Sequence, residues 1–337
     1  MIPLITTIWQ TESWQRQMQQ MIRDPGQLFS RLNLDLSARP GLAEALEQFP
    51  LRVTEAFVAK MQAGDWNDPL LLQVLPQAQE TNLHAGFVDD PLAELEANPV
   101  PGLIHKYHGR VLLITTSACA IHCRYCFRRN FPYNENNPSQ KDWQQALDYI
   151  AAHPEIHEVI LSGGDPLAAS DDYLDRLISR IADIPHVETL RIHTRLPLVL
   201  PARITAELLT VLSKHRLTTV MVIHCNHPNE LDQASIDALN ALNDAKIQLL
   251  NQTVLLRGIN DNAETLIKLS HRLFASRVLP YYLHLLDKVR GASHFDVAEA
   301  QAQTLMRDVL ASLPGYLVPR LVREDPKASS KRPLALL

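Results

Sequence analysis

From Val111 onward the sequence repeats one unit: a short apolar strand, a polar or glycine-bearing loop, and an amphipathic helix. The unit occurs six times, and its predicted strands are VLLITTS, EVILSGG, TLRIHT, TVMVIHC, IQLLNQTVL and PYYLHLL. Strands that alternate with helices pair in parallel, because each helix carries the chain back to the same end of the sheet. Six units therefore predict an α/β fold with a partial (βα)6 barrel, short of the eight strands of a closed barrel.

The chain divides into three predicted regions. Residues 1–98 contain short helical stretches, such as SWQRQMQQMI, GLAEALEQF and TEAFVAKMQ, interrupted by Pro and Gly, and are expected to form an N-terminal helical appendage on the sheet. Residues 99–315 form the (βα)6 core, and residues 316–337 form a C-terminal segment. The stretch ANPVPG at 97–102 is the predicted boundary of the appendage.

Charge and hydropathy narrow the choice of partner. The formal net charge is -5 and no basic block is present, so no electrostatic footprint for nucleic acid is expected. The N-terminus lacks the features of a signal peptide, and no run of about 18 apolar residues could span a bilayer. We therefore expect a cytoplasmic protein with a small-molecule ligand and no membrane partner. Cytoplasmic thiols stay reduced, so clustered cysteines indicate metal or redox chemistry.

The loops after the predicted strands are the candidate functional segments. Parallel α/β sheets bind ligands at the carboxyl ends of their strands, and all six loops are expected at that edge. They are the cysteine-containing loop that begins after TTS, SGGDP (162–166), HTRLP (193–197), HCNHPNE (224–230), NQTVLLRG (251–258) and LDKVRGASHF (286–295). Any one of these could be a simple turn, but six in register favour a binding site.

Three of the four cysteines, Cys119, Cys123 and Cys126, lie in the first loop. A structural zinc ion needs four ligands. The candidates for a fourth are His105, His108, His122 and Cys225. A four-iron cluster held by three thiolates instead leaves one iron open to an exogenous chelating ligand. An inert cluster of buried cysteines is a third reading, which the polar surroundings HCRYCFRR disfavour.

The spacing Cys119-x3-Cys123-x-Tyr125-Cys126 after a strand resembles the cluster loop of radical S-adenosylmethionine (SAM) enzymes. The resemblance implies a 4Fe-4S cluster on the three cysteines, with SAM on the open iron and cleaved to a 5′-deoxyadenosyl radical. The SGGDP loop matches the glycine-rich segment of that superfamily, whose backbone pairs with the amino group of SAM and whose glycines allow close approach. The residues implied in SAM binding are Ser162, Gly163, Gly164 and Asp165.

From about Pro99 to Pro333 the sequence resembles the lysine 2,3-aminomutase family. The resemblance is carried by VPGLIHKYHGRVLLITT, CRYCFRR, LSGGDPL, RIHTRLP, HPNE, NQTVLLRGINDN, PYYLH, GASHF and LPGYLVPRLV. It implies a pyridoxal 5′-phosphate (PLP) cofactor, joined to a lysine near the C-terminus that is followed by x-Pro. Lys331 has this context, Lys327 is its competitor, and a solvated surface lysine is the alternative reading for either.

The same resemblance implies roles for five other residues. Tyr107 and Arg110 match positions beside PLP, and Arg128 matches the arginine that binds the substrate carboxylate. Asp287 and Glu324 match the two acids that hold the side-chain ammonium of lysine, with Glu324 in place of the Asp of lysine enzymes. For each, a surface ion pair is the alternative. His224, His227 and Cys225 are interpreted as structural.

Two features distinguish this chain from the catabolic members of the family: it ends six residues after Lys331, and Asn262 replaces a metal-binding cysteine. It is similar to the short bacterial type that makes (R)-β-lysine from L-lysine for attachment to elongation factor P. The implied partners are L-lysine, an electron donor such as flavodoxin or ferredoxin, and proteins of the elongation factor P pathway. The alternatives are an aminomutase for glutamate or another amino acid and a non-catalytic iron-sulfur electron carrier.

Overall fold

The protein, seen in a computed structural model, is described for residues 13–35, 42–136, 142–326 and 328–336, so that Lys327 and residues 1–12 lie outside the described ranges. Nine strands form one sheet, in which neighbours along the chain are also neighbours in space. In chain order they are β1 (Leu103–Tyr107), β2 (Arg110–Thr116), β3 (Glu158–Gly163), β4 (Thr189–Thr194), β5 (Thr218–His224), β6 (Gln248–Val254), β7 (Leu279–His284), β8 (Arg320–Arg323) and β9 (Arg332–Pro333).

Strands β2 to β8 are parallel throughout. The six predicted strands are confirmed as β2 to β7, and the partial-barrel α/β fold is confirmed with them. Three strands were not predicted: β1 forms an antiparallel hairpin with β2, β8 adds a seventh parallel strand, and β9 pairs antiparallel with β8. The last two are short, and such strands depend on pairing rather than on a sequence pattern of their own.

Twelve α-helices occur in the described ranges. They are α1 (Trp14–Gln19), α2 (Pro25–Leu32), α3 (Leu42–Gln48), α4 (Glu55–Val58), α5 (Tyr133–Asn136), α6 (Asp142–Ala152), α7 (Asp171–Ala182), α8 (Leu196–Val199), α9 (Ala206–Ser213), α10 (Gln233–Asp244), α11 (Ala263–Ala275) and α12 (Glu299–Ser312). The six helices predicted between and after the strands are α6, α7, α9, α10, α11 and α12. Helix α7 shows why they form: the Ser170 side chain caps its first turn, and its buried face repeats with helical spacing at Leu174, Leu177, Ile178 and Ile181.

The N-terminal helices pack on the sheet, as the sequence predicts. Trp14 and Phe57 belong to the same hydrophobic cluster as the strand residues Leu113 and Leu161. The Trp14 ring also lies 4.3 Å from the guanidinium carbon of Arg203, in a cation–π contact. This shared core joins the appendage to the carboxyl-end loops of the sheet. No helix in the described ranges is both long enough and apolar enough to cross a membrane.

Candidate active site

A cavity of about 470 Å³ opens where the parallel strands end. Its wall includes one residue at or just beyond the ends of β2, β3, β4, β5, β7 and β8, namely Ser117, Gly163, Thr194, His224, Leu286 and Glu324. All thirteen residues that the sequence predicts as site residues line it: Tyr107, Arg110, Cys119, Cys123, Cys126, Arg128, Ser162, Gly163, Gly164, Asp165, Asp287, Glu324 and Lys331. Residues that are up to 224 positions apart thus share one cavity, since parallel strands bring their ends to one edge.

The three cysteines lie in the loop after β2, and all three line the cavity. The Cys126 backbone N–H donates to the Cys123 carbonyl at 2.9 Å, which closes a tight turn. Burial raises the pKa of Cys126 to about 11, and the charge of a neighbouring Cys123 thiolate adds to this effect. Burial likewise raises the pKa of Cys119 well above its usual value, with contributions from Asp165 and both other thiols.

Arg195, which directly follows β4, contacts the cysteine loop through its guanidinium group. Its Nη1 donates to Cys123 Sγ at 2.9 Å and to the Tyr125 hydroxyl at 2.8 Å. Its Nη2 forms an ion pair with Glu230 at 2.9 Å, and both side chains are buried. Burial would lower the pKa of the Arg195 guanidinium, but the charges of Cys123 and Glu230 outweigh it and raise that pKa. Arg195 lies in the HTRLP loop, which the sequence singled out without giving this residue a role.

Gly163 and Gly164 lie against the backbone of the cysteine loop. A Cβ on Gly163, where φ is +117°, would lie 2.8 Å from the Thr116 carbonyl oxygen, and one on Gly164 would lie 2.4 Å from that of Ala118. The Gly164 N–H donates to the Thr116 carbonyl at 2.7 Å. The sequence predicts that the backbone of these glycines lies close to SAM. In the structure, the backbone at the start of the cysteine loop occupies the space next to their Cα atoms. The two glycines therefore allow this loop to pack closely against the end of β3.

Asp165 connects the glycine loop to the loop after β4. Its carboxylate accepts hydrogen bonds from Thr194 Oγ1 and the Arg195 N–H, both at 2.7 Å, and from the Leu167 N–H at 3.1 Å. Burial raises the pKa of Asp165 to about 6, although these hydrogen bonds oppose the rise. Asp165 therefore holds two site loops together, and its contact with SAM stays a prediction.

Lys331 lies in the wall of the cavity. Its Nζ forms an ion pair with Glu324, whose second carboxylate oxygen is 3.0 Å from Nζ of Lys106. Burial would raise the pKa of Glu324, but the two ammonium groups outweigh it and hold that pKa well below its usual range. The side chain of Lys331 is 23% exposed, which does not fit a solvated tail lysine. Lys106 is a member of this triad that the sequence did not predict.

Tyr107 is the last residue of β1 and Arg110 is the first residue of β2, while Lys106 lies in β1 directly before Tyr107. The Arg110 guanidinium carbon lies 4.9 Å from the centre of the Tyr107 ring. Burial raises the pKa of Tyr107, and the negative charge of Glu324 contributes. Tyr107, Arg110 and Lys331 therefore line the same cavity, and their common role beside PLP stays a prediction.

Asp287 follows β7 and is half-buried in the cavity wall. Its carboxylate accepts no hydrogen bond from the residues that the structure describes, and only its backbone carbonyl accepts one, from Val289. Desolvation raises the pKa of Asp287 to about 7, and the charge of Glu324 adds to the rise. A carboxylate without a partner in such a wall favours a cationic ligand, because a cation would restore the interactions lost from water.

Arg128 is buried at the base of the cysteine loop. Its Nε and Nη2 each donate to one oxygen of Glu94 at 2.7 Å, and Nη1 donates to Ser162 Oγ at 3.0 Å. Burial opposes the charge of Arg128, but Glu94 outweighs it and raises the pKa of the guanidinium. The sequence did not predict Glu94, because it lies in the N-terminal region where no motif marks a functional residue.

The described residues fit the cofactors that the family resemblance implies. Three thiols in one cavity wall are a suitable donor set for an iron-sulfur cluster with an open iron. Lys331 is an amine that shares Glu324 with Lys106, and the cationic side chain of Arg110 lines the same cavity, which suits an aldehyde that carries a phosphate group. Nε2 of His193 and Nε2 of His284 line the same cavity, are buried, and have no hydrogen-bond partner among the described residues. Unpartnered polar atoms of this kind indicate a polar ligand.

The family follows from comparison with known proteins. A sequence model of the Radical SAM superfamily matches residues 113–270. The L-lysine 2,3-aminomutase of Escherichia coli (strain K12) is 48% identical over 326 residues, which cover 96% of this chain and 95% of that protein. The chain belongs to the lysine 2,3-aminomutase family. The resemblance read from the sequence is thereby confirmed.

Other members of the lysine 2,3-aminomutase family show the same relationship. The L-lysine 2,3-aminomutase of Haemophilus influenzae is 49% identical over 323 residues, which cover 96% of each chain. That of Clostridium subterminale is 36% identical over 322 residues, which cover 95% of this chain and 77% of that protein. The matched residues cover at least 95% of this chain in each case, so they include most of the N-terminal appendage.

Proposed function

We propose that the protein is a radical SAM, PLP-dependent L-lysine 2,3-aminomutase that converts L-α-lysine into (R)-β-lysine. The observation that supports this function most strongly is that one cavity joins the three-cysteine loop to Lys331. The wall of the same cavity also contains a buried arginine, Arg128, and a carboxylate without a hydrogen-bond partner among the described residues, Asp287. A site for lysine needs these two opposite charges, because the amino acid carries a carboxylate at one end and an ammonium at the other.

The residues of the cavity divide by cofactor. Cys119, Cys123 and Cys126 would hold a 4Fe-4S cluster, and Ser162 with the glycine loop would lie beside SAM. Lys331 would hold PLP, with Tyr107 and Arg110 beside it. When bound, the cluster and SAM supply a radical that removes a hydrogen atom from the substrate, and PLP delocalises the unpaired electron while the amino group migrates.

The protein's own residues bind and orient the substrate. Arg128 binds the carboxylate of lysine, and Asp287 accepts the side-chain ammonium. The ammonium favours the charged form of Asp287, whose pKa of about 7 in the free protein falls when the cation binds. Glu324 has a second role in addition to its predicted contact with the substrate. It forms an ion pair with the ammonium of Lys331 whenever that amine is not joined to PLP. Because Lys106 also forms an ion pair with Glu324, the Glu324 carboxylate stays charged both when Lys331 is free and when it is joined to PLP.

The same charges disfavour glutamate. Its side-chain carboxylate would approach Asp287 and Glu324, and like charges in a desolvated site repel each other strongly. Asp287 would have no function in an enzyme for glutamate. An iron-sulfur electron carrier, in turn, has no use for an amine in the cavity wall, so the position of Lys331 favours an enzyme.

The proposal includes the cellular setting. The electron that cleaves SAM would come from a reduced donor such as flavodoxin or ferredoxin, which the cytoplasm supplies. The (R)-β-lysine would be attached to elongation factor P by proteins of that pathway. The similarity to the short bacterial type of the family supports this assignment.

The test is anaerobic incubation of the reconstituted protein with SAM, a strong reductant and L-lysine, followed by mass spectrometry of the products. We expect (R)-β-lysine, formed in amounts far above the protein concentration. Parallel reactions with L-glutamate should give no β-amino acid. A preference for glutamate would refute the substrate assignment. A reconstituted cluster that transfers electrons but never cleaves SAM would support the electron carrier instead.

A further inference from the structure

We propose that Glu94 is a positioning residue for Arg128: it holds one edge of the guanidinium so that the N–H left on Nη2 is presented to the carboxylate of the substrate. The inference deepens the proposed function and rests on the substrate assignment made there. Glu94 itself does not contact the substrate in this proposal, and it acts only through Arg128.

The hydrogen bonds of Arg128 support this division of its edges. A guanidinium has five N–H donors in a fixed plane. Nε and Nη2 each use one donor on Glu94, at 2.7 Å, while Nη1 donates to Ser162 Oγ at 3.0 Å and to the Gly163 carbonyl at 3.5 Å. One N–H therefore remains on Nη2. This donor can form a charge-assisted hydrogen bond to a carboxylate.

Glu94 also lowers the entropic cost of substrate binding. An arginine side chain has many rotamers, and fixing it in one geometry at each binding event weakens affinity if the side chain is free beforehand. Arg128 is held in advance by the two Glu94 contacts and by the Phe127 ring, which lies 4.7 Å from its guanidinium carbon. Both side chains of the ion pair are buried, at 7% and 6% exposure, so water competes little for these contacts.

Glu94 belongs to a segment, residues 88–94, that is tied to other parts of the site. The Val88 N–H donates to the Lys288 carbonyl and the Arg290 N–H donates to the Val88 carbonyl, both at 2.9 Å, directly after Asp287. Nζ of Lys106 donates to the Leu92 carbonyl at 2.9 Å. The segment thus connects the residue that orients Arg128 with the loop that carries Asp287. It sets the spacing between the carboxylate site and the ammonium site.

The proposal is tested by binding to two ligands, L-lysine and 1,5-diaminopentane, which is lysine without its carboxylate. Affinities are measured by isothermal titration calorimetry on the PLP-loaded protein without SAM, so that no turnover occurs. Glu94→Ala should weaken L-lysine binding by at least about tenfold and change 1,5-diaminopentane binding by less than about twofold. Arg128→Ala should do the same, and the double variant should bind L-lysine no more weakly than Arg128→Ala alone.

Two further variants complete the test: one replaces Glu94→Ala if that variant does not fold, and the other is a control outside the cavity. Glu94→Gln preserves the shape and one hydrogen-bond acceptor, and it replaces Glu94→Ala if the latter does not fold; it should show the same selective loss for L-lysine. Asp232→Asn is the matched control, because Asp232 pairs with the buried Lys60 at 2.9 Å outside the cavity. It should bind both ligands as the wild type does.

The opposite results overturn the inference. If the Glu94 variants weaken both ligands equally, Glu94 has only a structural role. If the losses from Glu94→Ala and Arg128→Ala add in the double variant, the two residues act independently. A wild-type protein that binds 1,5-diaminopentane but not L-lysine would refute the lysine assignment itself, and this outcome is distinct from the other two.

Discussion

Glu324 forms an ion pair with Lys331, the residue that is expected to carry PLP. The sequence assigns Glu324 to the substrate ammonium, yet in the structure its two oxygens contact Lys331 and Lys106. The arrangement gives Lys331 a defined place when its amine is free. Since Lys106 also binds Glu324, this carboxylate stays charged after Lys331 joins the cofactor.

Replacement of Lys331 by Ala should abolish the visible absorbance of protein-bound PLP, because no amine remains beside Glu324 to bond the aldehyde. Lys327→Ala is the control and should retain the absorbance. The measurement is an absorbance spectrum after incubation with PLP and gel filtration. If Lys327→Ala lost the absorbance and Lys331→Ala kept it, the cofactor lysine would be Lys327.

Each of the variants Cys119→Ala, Cys123→Ala and Cys126→Ala should lose the visible absorbance of the reconstituted iron-sulfur cluster, since three thiolates are the minimum for a cluster with one open iron. Cys225→Ala should keep it, because Cys225 is fully buried and its thiol contacts the His227 carbonyl. An equal loss in all four variants would contradict the assignment of the cluster to this loop.

Gly164→Ala should impair the cluster without touching any ligand. Its Cβ would lie 2.4 Å from the Ala118 carbonyl oxygen, so the cysteine loop must shift. Overpacking of this kind costs typically about 1–3 kcal/mol of stability. We expect a lower iron content after reconstitution and a lower melting temperature. Gly315→Ala is the matched control, because its Cβ would meet nothing within 4 Å. Equal iron content in the two variants would refute the role given to Gly164.

Asp287→Ala should reduce kcat/KM for L-lysine by roughly 30-fold or more, because an unpaired ammonium in a desolvated site costs about 2–5 kcal/mol. Cleavage of SAM without lysine turnover should continue, since it uses the cysteine side of the cavity. The rates of β-lysine and 5′-deoxyadenosine formation are measured side by side. Normal lysine turnover by Asp287→Ala would remove the basis for the lysine assignment.

Asp287 should also make the stability of the cofactor-free protein depend on pH. Its pKa is raised from 3.8 to about 7, so between these values the folded chain keeps a proton that the unfolded chain releases. Stability from this group is therefore present at low pH and lost as pH rises toward 7. Asp287→Asn should raise the melting temperature at pH 8 relative to the wild type, with a smaller difference at pH 4. An equal difference at both pH values would show that the pKa is not raised.

The sequence by itself determined the six βα units and the cysteine loop. Hydrophobic periodicity is a local property, since the face that a residue presents depends on its neighbours within one or two turns. The parallel order of the strands follows from the same alternation. Lys331 was chosen over Lys327 only through the family resemblance, because nothing in the local chemistry of the tail separates the two.

Only the tertiary structure decided which charged groups meet. Glu94 contacts Arg128 across 34 positions, and Lys106 contacts Glu324 across 218 positions. No local pattern encodes such pairs, because an ion pair depends on the distance between two side chains after the strands have assembled. The pKa of Asp287 also depends on tertiary structure. Nothing in the neighbouring sequence marks this carboxyl group, and desolvation in the cavity wall together with the charge of Glu324 raises its pKa to about 7.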